Sequence, residues 1–210
     1  MAPGTTLSVD ESTLLQTIFW SAGASRLALA ERLDFSKSKT NSLVAGLLDL
    51  GLLEETGLKA SSGGRRPETV QINSQLGVLV AADLGATSLD IAILRPDLSV
   101  LVRHSEAADV RAGPGLVMAR VRVLVHQLLA QCGGTKPQVI GIGMGVPGPV
   151  DFASGQLVNP PLMPQWDSFS IRDALREDFA APVFVDNDVN TMALGELWRL
   201  QRSLQNFLVI

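Results

Sequence analysis

The stretch Ala181-Pro182-Val183-Phe184-Val185-Asp186-Asn187-Asp188-Val189-Asn190 decides how this chain is read. Its first half is short and apolar, as a buried strand is. After it, Met192, Leu194, Leu197 and Trp198 recur at helical spacing. Open α/β sheets place their ligands beyond the carboxyl ends of such strands. Two carboxylates and two amides stand there. An amide donates to a hydroxyl and a carboxylate accepts from one, so an Asn-Asp pair suits the vicinal hydroxyls of a polyol, most simply a sugar. Asp188 can also take a proton from such a hydroxyl. A second explanation needs no ligand: Asn187 or Asp188 caps the helix that follows.

Outward from this stretch, the chain keeps alternating strand and helix back to Gly77. Residues 77–83 are an apolar run ending in Asp83, and Leu89–Leu94 and Val100–His104 read as two further strands. Residues 113–131 form an amphipathic helix with Leu116, Val117, Val121, Leu124, Val125, Leu128 and Leu129 on its buried face. A strand at 139–144, a loop rich in Gly and Pro (145–168) and a helix at 170–179 lead back to the opening stretch. The order β-β-β-α-β-α-β-α is that of one lobe of the actin-like ATPase (ribonuclease H-like) architecture. Residues 206–210 read as the start of one more strand. A second lobe normally follows such a unit, so the chain is expected to be truncated.

Residues 10–54 carry helical periodicity only. Leu14, Leu15, Ile18 and Phe19 make one stripe. Ser25 can cap a second helix, and Ser36 or Ser38 a third that buries Leu43, Val44, Leu47, Leu48 and Leu50. Residues 52–55 and 68–72 look like two strands joined by a basic loop containing Gly63-Gly64-Arg65-Arg66-Pro67. Three short helices and a hairpin with a basic tip spell a winged helix-turn-helix over residues 1–76, with the α/β part over 77–210. On the third helix, Lys37 and Lys39 can neutralise phosphates, while Ser38, Thr40 and Asn41 can reach base edges or phosphates. Arg65 and Arg66 can enter a minor groove or meet the backbone. A generic three-helix interaction module is the competing explanation.

The totals narrow the choice. Hydrophobic residues make up 46% and charged residues 18%, enough apolar material for a real core. No run approaches the roughly 20 apolar residues of a membrane span, and the first residues lack an export signal, so a cytoplasmic protein without a membrane partner is expected. The single cysteine, Cys132, excludes an internal disulfide and a cysteine-rich metal site, and no metal is expected within these residues. Net charge is -4, so any nucleic-acid surface is a local patch. Residues 1–76 hold seven basic side chains, five of them on the third helix or in the hairpin loop.

Asp83-Leu84-Gly85-Ala86-Thr87 joins two strands by a tight turn. Asp83, Gly85 and Thr87 match a phosphate loop, in which amides and a hydroxyl meet an anion and the acid orients a hydrated magnesium. A plain hairpin would read the same way. Residues 141–151, Gly-Ile-Gly-Met-Gly-Val-Pro-Gly-Pro-Val-Asp, lack dinucleotide spacing and read as a tightly packed pocket wall. Residues 159–167, Asn-Pro-Pro-Leu-Met-Pro-Gln-Trp-Asp, read as a rigid rim. There Asn159 can bond a ligand hydroxyl, and Trp166 either stacks on a sugar or fills the core.

Together these segments resemble the ROK family of repressors, open reading frames and sugar kinases. The resemblance runs from the Gly63–Pro67 loop through Asp83–Thr87, Gly145–Asp151 and Pro160–Trp166 to Asp186–Asn190 with Gly195-Glu196. It implies that Asp188 matches the kinase members' catalytic base, that Asn187 matches a sugar-binding amide, and that the Asp83 loop matches the first phosphate loop. It also implies that DNA-binding members are sugar-responsive regulators acting as homo-oligomers. The family's zinc-binding Cys and His would lie beyond Ile210, so zinc is expected outside this chain. Kinase members usually carry a second glycine, then Thr and Lys or Asn, where this chain has Ala86, Thr87 and Ser88. The expectation is therefore a transcriptional regulator, a repressor, that binds duplex DNA and a sugar or sugar derivative. The alternative is an ATP-dependent sugar kinase with an appended DNA-binding domain, which would also need ATP and magnesium.

Overall fold

The computed structural model describes residues 7–56, 68–133, 137–200 and 206–208. The chain divides into two compact units, Met1–Leu76 and Gly77–Ile210.

In the first unit, helix α1 (Val9–Trp20) begins with a capping box: the Ser8 hydroxyl accepts from the Glu11 N–H, and the Glu11 carboxylate accepts from the Ser8 N–H. This arrangement satisfies two donors that every helix start leaves open. Strand β1 (Ala24–Ser25) leads into α2 (Arg26–Leu33), capped by Ser25, and α3 (Lys37–Asp49) is capped by Ser36. Ser36 wins over Ser38 because only its hydroxyl stands before the first turn, facing the Lys39 N–H at 3.1 Å. Strands β2 (Leu53–Thr56) and β3 (Thr69–Ile72) pair antiparallel, and β1 joins the other side of β3. Leu14, Ile18, Leu29, Val44, Leu47 and Val70 meet in a dry core. Arg65, Arg66 and the rest of the β2–β3 connection lie outside the described residues.

The second unit is a five-stranded sheet ordered β10-β7-β4-β5-β6. Strands β4 (Val78–Leu84), β5 (Ser88–Leu94) and β6 (Val100–Ala107) form an antiparallel meander. After a 3-10 turn (Val110–Ala112), α4 (Pro114–Gln131) crosses over to β7 (Val139–Val146), which lies parallel to β4. A small hairpin, β8 (Val150–Asp151) with β9 (Gln156–Leu157), precedes α5 (Ile171–Phe179). Strand β10 (Val183–Asn187) then pairs parallel with β7 and runs into α6 (Asp188–Arg199). The core lies between α4 and the sheet face carrying Val80, Ala82, Ile91 and Ile93.

The loop at 145–168 is more ordered than its composition suggests, since it contains the β8–β9 hairpin. Leu116, expected on the buried face of α4, is 71% exposed: the buried arc centres on Val117, Val121, Leu124 and Leu128, and Leu116 lies on the far side of it. Met192 and Leu194 of α6 are likewise exposed. Of the expected strand at 206–210, residues 206–208 are described and are not a strand.

Candidate functional site

Strands β5, β4, β7 and β10 carry one row of residues in register: Asp90, Asp83, Gly145 and Asp186. Neighbours in register project from the same face of a sheet, so three carboxylates flank one glycine. These residues line a cavity of about 690 Å³, whose remaining wall includes Ala81, Phe184 and Thr191. A side chain at Gly145 would stand 2.7 Å from the Thr191 hydroxyl, 3.0 Å from Asp83 Oδ1 and 3.5 Å from the Asp188 backbone. The missing side chain is what lets α6 close onto the sheet beside Asp83.

The carboxylates are not equivalent. Asp83 is pushed above the ordinary carboxylate range, first by partial burial, then by the nearby negative charges of Asp188 and Asp90. Asp90 is held below that range, chiefly by a hydrogen bond from Arg103 at 2.7 Å. Asp186 Oδ1 accepts from the Asn187 N–H at 2.7 Å and from the Asn190 amide at 2.9 Å, which orients it. Asp188 is half-buried at the first position of α6, and its carboxylate accepts from the Val189 N–H. A row of acceptors with one proton-prone member suits a ligand rich in hydroxyl donors.

Asn187 proves to be the cap of α6. Its oxygen accepts from the Val189 N–H at 3.0 Å, and its nitrogen donates to the Gly148 carbonyl at 3.2 Å. Both ends of the amide are engaged, so Asn187 pins the loop after β7 to the start of α6. Asn159 has left-handed backbone (φ 43°), and its N–H donates to Asp167. Its side chain is exposed and is not among those lining the cavity. Trp166 resolves to the core: it is fully buried and donates from Nε1 to the Val110 carbonyl at 2.8 Å. Asp90 escaped sequence reading because it sits at an ordinary polar position of an alternating strand.

The turn after Asp83 closes as a hairpin. The Gly85 N–H donates to the Ser88 carbonyl at 2.9 Å, while Thr87 is exposed and its carbonyl accepts from the Ala108 N–H. The Gly85 amide is thus engaged within the turn and is not offered to an anion in this arrangement. Among the described residues, no group of three or more His, Cys, Asp or Glu side chains could hold a metal ion.

On α3 the exposed residues are Lys37, Ser38, Lys39, Asn41, Ser42, Ala45 and Asp49. One expectation needs correction. Thr40 is fully buried and donates to the Ser36 carbonyl at 3.1 Å, because helical geometry puts it on one stripe with Val44 and Leu47. Lys39 turns back to α1, where its ammonium meets Asp10 at 2.7 Å and lies 3.8 Å from the centre of the Phe35 ring. Ser42 and Ala45 continue the outward face of Ser38 by one and two turns.

The ROK family pattern matches residues 79–210. The chain is similar to the xylose repressor of Caldicellulosiruptor bescii, with 29% identity over 192 residues, covering 90% of this chain and 47% of that protein. It is also similar to a glucokinase of Halalkalibacterium halodurans, with 29% identity over 120 residues, covering 57% of this chain and 36% of that protein. The fold matches a crystal structure of a ROK family transcriptional regulator, a homologue of the E. coli MLC protein, with a TM-score of 0.72 and 22% identity over 94% of this chain and 50% of that one. The chain spans about half the length of the curated relatives it matches. With the pattern covering most of the chain and laid along the strands that build the acidic row, the chain belongs to the ROK family.

Proposed function

We propose that this chain is part of a sugar-responsive DNA-binding transcriptional regulator, a repressor, acting in the cytoplasm as a homo-oligomer. The observation that carries the reading is that the likeness to a xylose repressor spans 90% of the chain, so it extends into the first unit. There, three helices followed by antiparallel β2 and β3 support a winged helix-turn-helix, with α3 as the helix that enters the major groove. A sugar or sugar derivative, with a pentose such as xylose the first to try, would bind at the acidic row near Asp83, Asp186 and Asp188. Regulation follows from linkage: a sugar that prefers the arrangement with weak DNA affinity lowers DNA binding by the same factor that DNA lowers sugar binding.

The test uses the full-length protein. Asp188→Ala should raise the sugar dissociation constant about tenfold to a hundredfold, the cost of losing a hydrogen bond to a charged group, while DNA affinity stays unchanged. Calorimetry giving wild-type sugar affinity in Asp188→Ala would sink the assignment. A second reading, an ATP-dependent sugar kinase, draws on the nearness of Asp188 to Asp83 and on the glucokinase likeness. Turnover of ATP with a panel of sugars, lost in Asp188→Asn, would promote it.

A further inference from the structure

The first unit holds a concave site where the start of α2 meets the first turns of α3. Arg26, at the start of α2, and Lys37 and Asn41, one turn apart on α3, line a cavity of about 290 Å³ together with Leu27. Two cations and an amide converge on it, and no acid is among its lining residues. Among the described residues Arg26 is held through one end: Nη2 meets Glu55 Oε1 of β2 at 2.6 Å, which orients the planar fork and leaves its other donors without a partner there. Lys37 has no ion-pair partner among the described residues, in contrast to Lys39, which is occupied by Asp10 and Phe35. Leu27 is 51% exposed beside these groups.

We infer that Arg26, Lys37 and Asn41 form a clamp for one phosphodiester of the DNA backbone, and that Lys39 is a structural residue outside the DNA contact. The inference rests on the DNA-binding reading and makes it specific. A phosphodiester presents two free oxygens and one charge. The Arg26 fork matches the oxygens in geometry, Lys37 supplies a mobile point charge, and Asn41 adds a neutral donor. Leu27 gives the adjoining deoxyribose an apolar wall. Such a contact sets the register of α3 on the duplex and carries no base preference. Ser38, Ser42 and Ala45, on the outward face beyond the clamp, are then left to meet base edges.

The experiment is fluorescence anisotropy of the whole chain with a mixed-sequence duplex of roughly 20 base pairs, two helical turns, at several salt concentrations. Arg26→Gln and Lys37→Gln should each weaken binding about tenfold at the lowest salt and flatten the salt slope, by about 0.9 for the two together because they share one phosphate. Arg26→Lys should retain the slope, and Lys39→Gln should leave it unchanged. Because Arg26→Gln also breaks the Glu55 pair, its far-UV dichroism is checked; if it unfolds, Lys37→Gln and Arg26→Lys decide. A slope that drops in Lys39→Gln and holds in Lys37→Gln overturns the clamp while leaving DNA binding standing. A wild-type chain that binds no duplex at any salt overturns the DNA-binding reading itself.

Discussion

Glu106 on β6 accepts two hydrogen bonds from Arg120 of α4, at 2.7 and 2.6 Å, and contacts His104 at 2.9 Å. Arg120 above all, and His104 after it, hold its carboxyl down at about 2, against 4.5 for the free side chain. The folded protein therefore takes up that proton later than the unfolded chain. The stabilisation is complete above about 4.5 and is lost as pH falls towards 2. Arg120 is half-exposed, so solvent screens much of the pairing. Glu106→Gln should cost about 1 kcal/mol at neutral pH, roughly 2–4 °C in melting temperature for a chain of this size, and the deficit should vanish near pH 2. Melting curves across pH check both parts; an equal deficit at pH 7 and pH 2 would assign the loss to packing instead. Asp83 has the opposite sign. Its carboxyl is raised, so its contribution to stability falls as pH rises above the ordinary carboxylate range.

At the scale of elements, the site depends on how closely α6 lies on β7. Gly145 has ordinary backbone angles, so alanine is tolerated there conformationally and its cost is steric alone. The added methyl would stand 2.7 Å from the Thr191 hydroxyl and 3.0 Å from Asp83 Oδ1. Thr191 is itself tied to the Asp188 carbonyl at 2.8 Å, so the displacement passes to the first turn of α6. Gly145→Ala should destabilise by about 1–3 kcal/mol, the usual cost of overpacking, and weaken sugar binding in the full-length protein with DNA affinity unchanged. Parallel calorimetry and anisotropy measure this. Unaltered sugar affinity would mean that the ligand does not sense the α6–β7 contact.

At the scale of the whole molecule, each unit carries its own buried cluster: Leu14, Ile18, Leu29, Val44, Leu47 and Val70 in the first, and the α4-covered sheet face in the second. Each cluster removes apolar surface from water independently. Residues 1–76 expressed alone should therefore fold, with a cooperative thermal transition by far-UV dichroism. A domain this small is marginal, with a stability of only a few kcal/mol. A broad, non-cooperative melt of this fragment would show that its core needs the rest of the chain.

The sequence by itself determined the longer elements and their order, because the signals involved are local. Ser25, and Ser36 or Ser38, stand ahead of apolar stripes as caps, Gly51 closes α3, and apolar runs with turn residues between them mark the strands. It also placed Asp83 and Asp188 at strand ends, where a parallel sheet brings them together. Tertiary structure decided what each polar side chain is free to do. Thr40 and Lys39 share a helix turn with Lys37 and Asn41, yet a rotation of about 100° per residue sends one into the core and the other to Asp10. Asn187 spends its amide on Val189 and Gly148, the latter distant in sequence, and Trp166 finds its partner at the Val110 carbonyl. The alignment of Asp90 with Asp83 and Asp186 exists only through strand register. Register and partner choice depend on contacts between segments far apart in the chain, and no local pattern of residues encodes them.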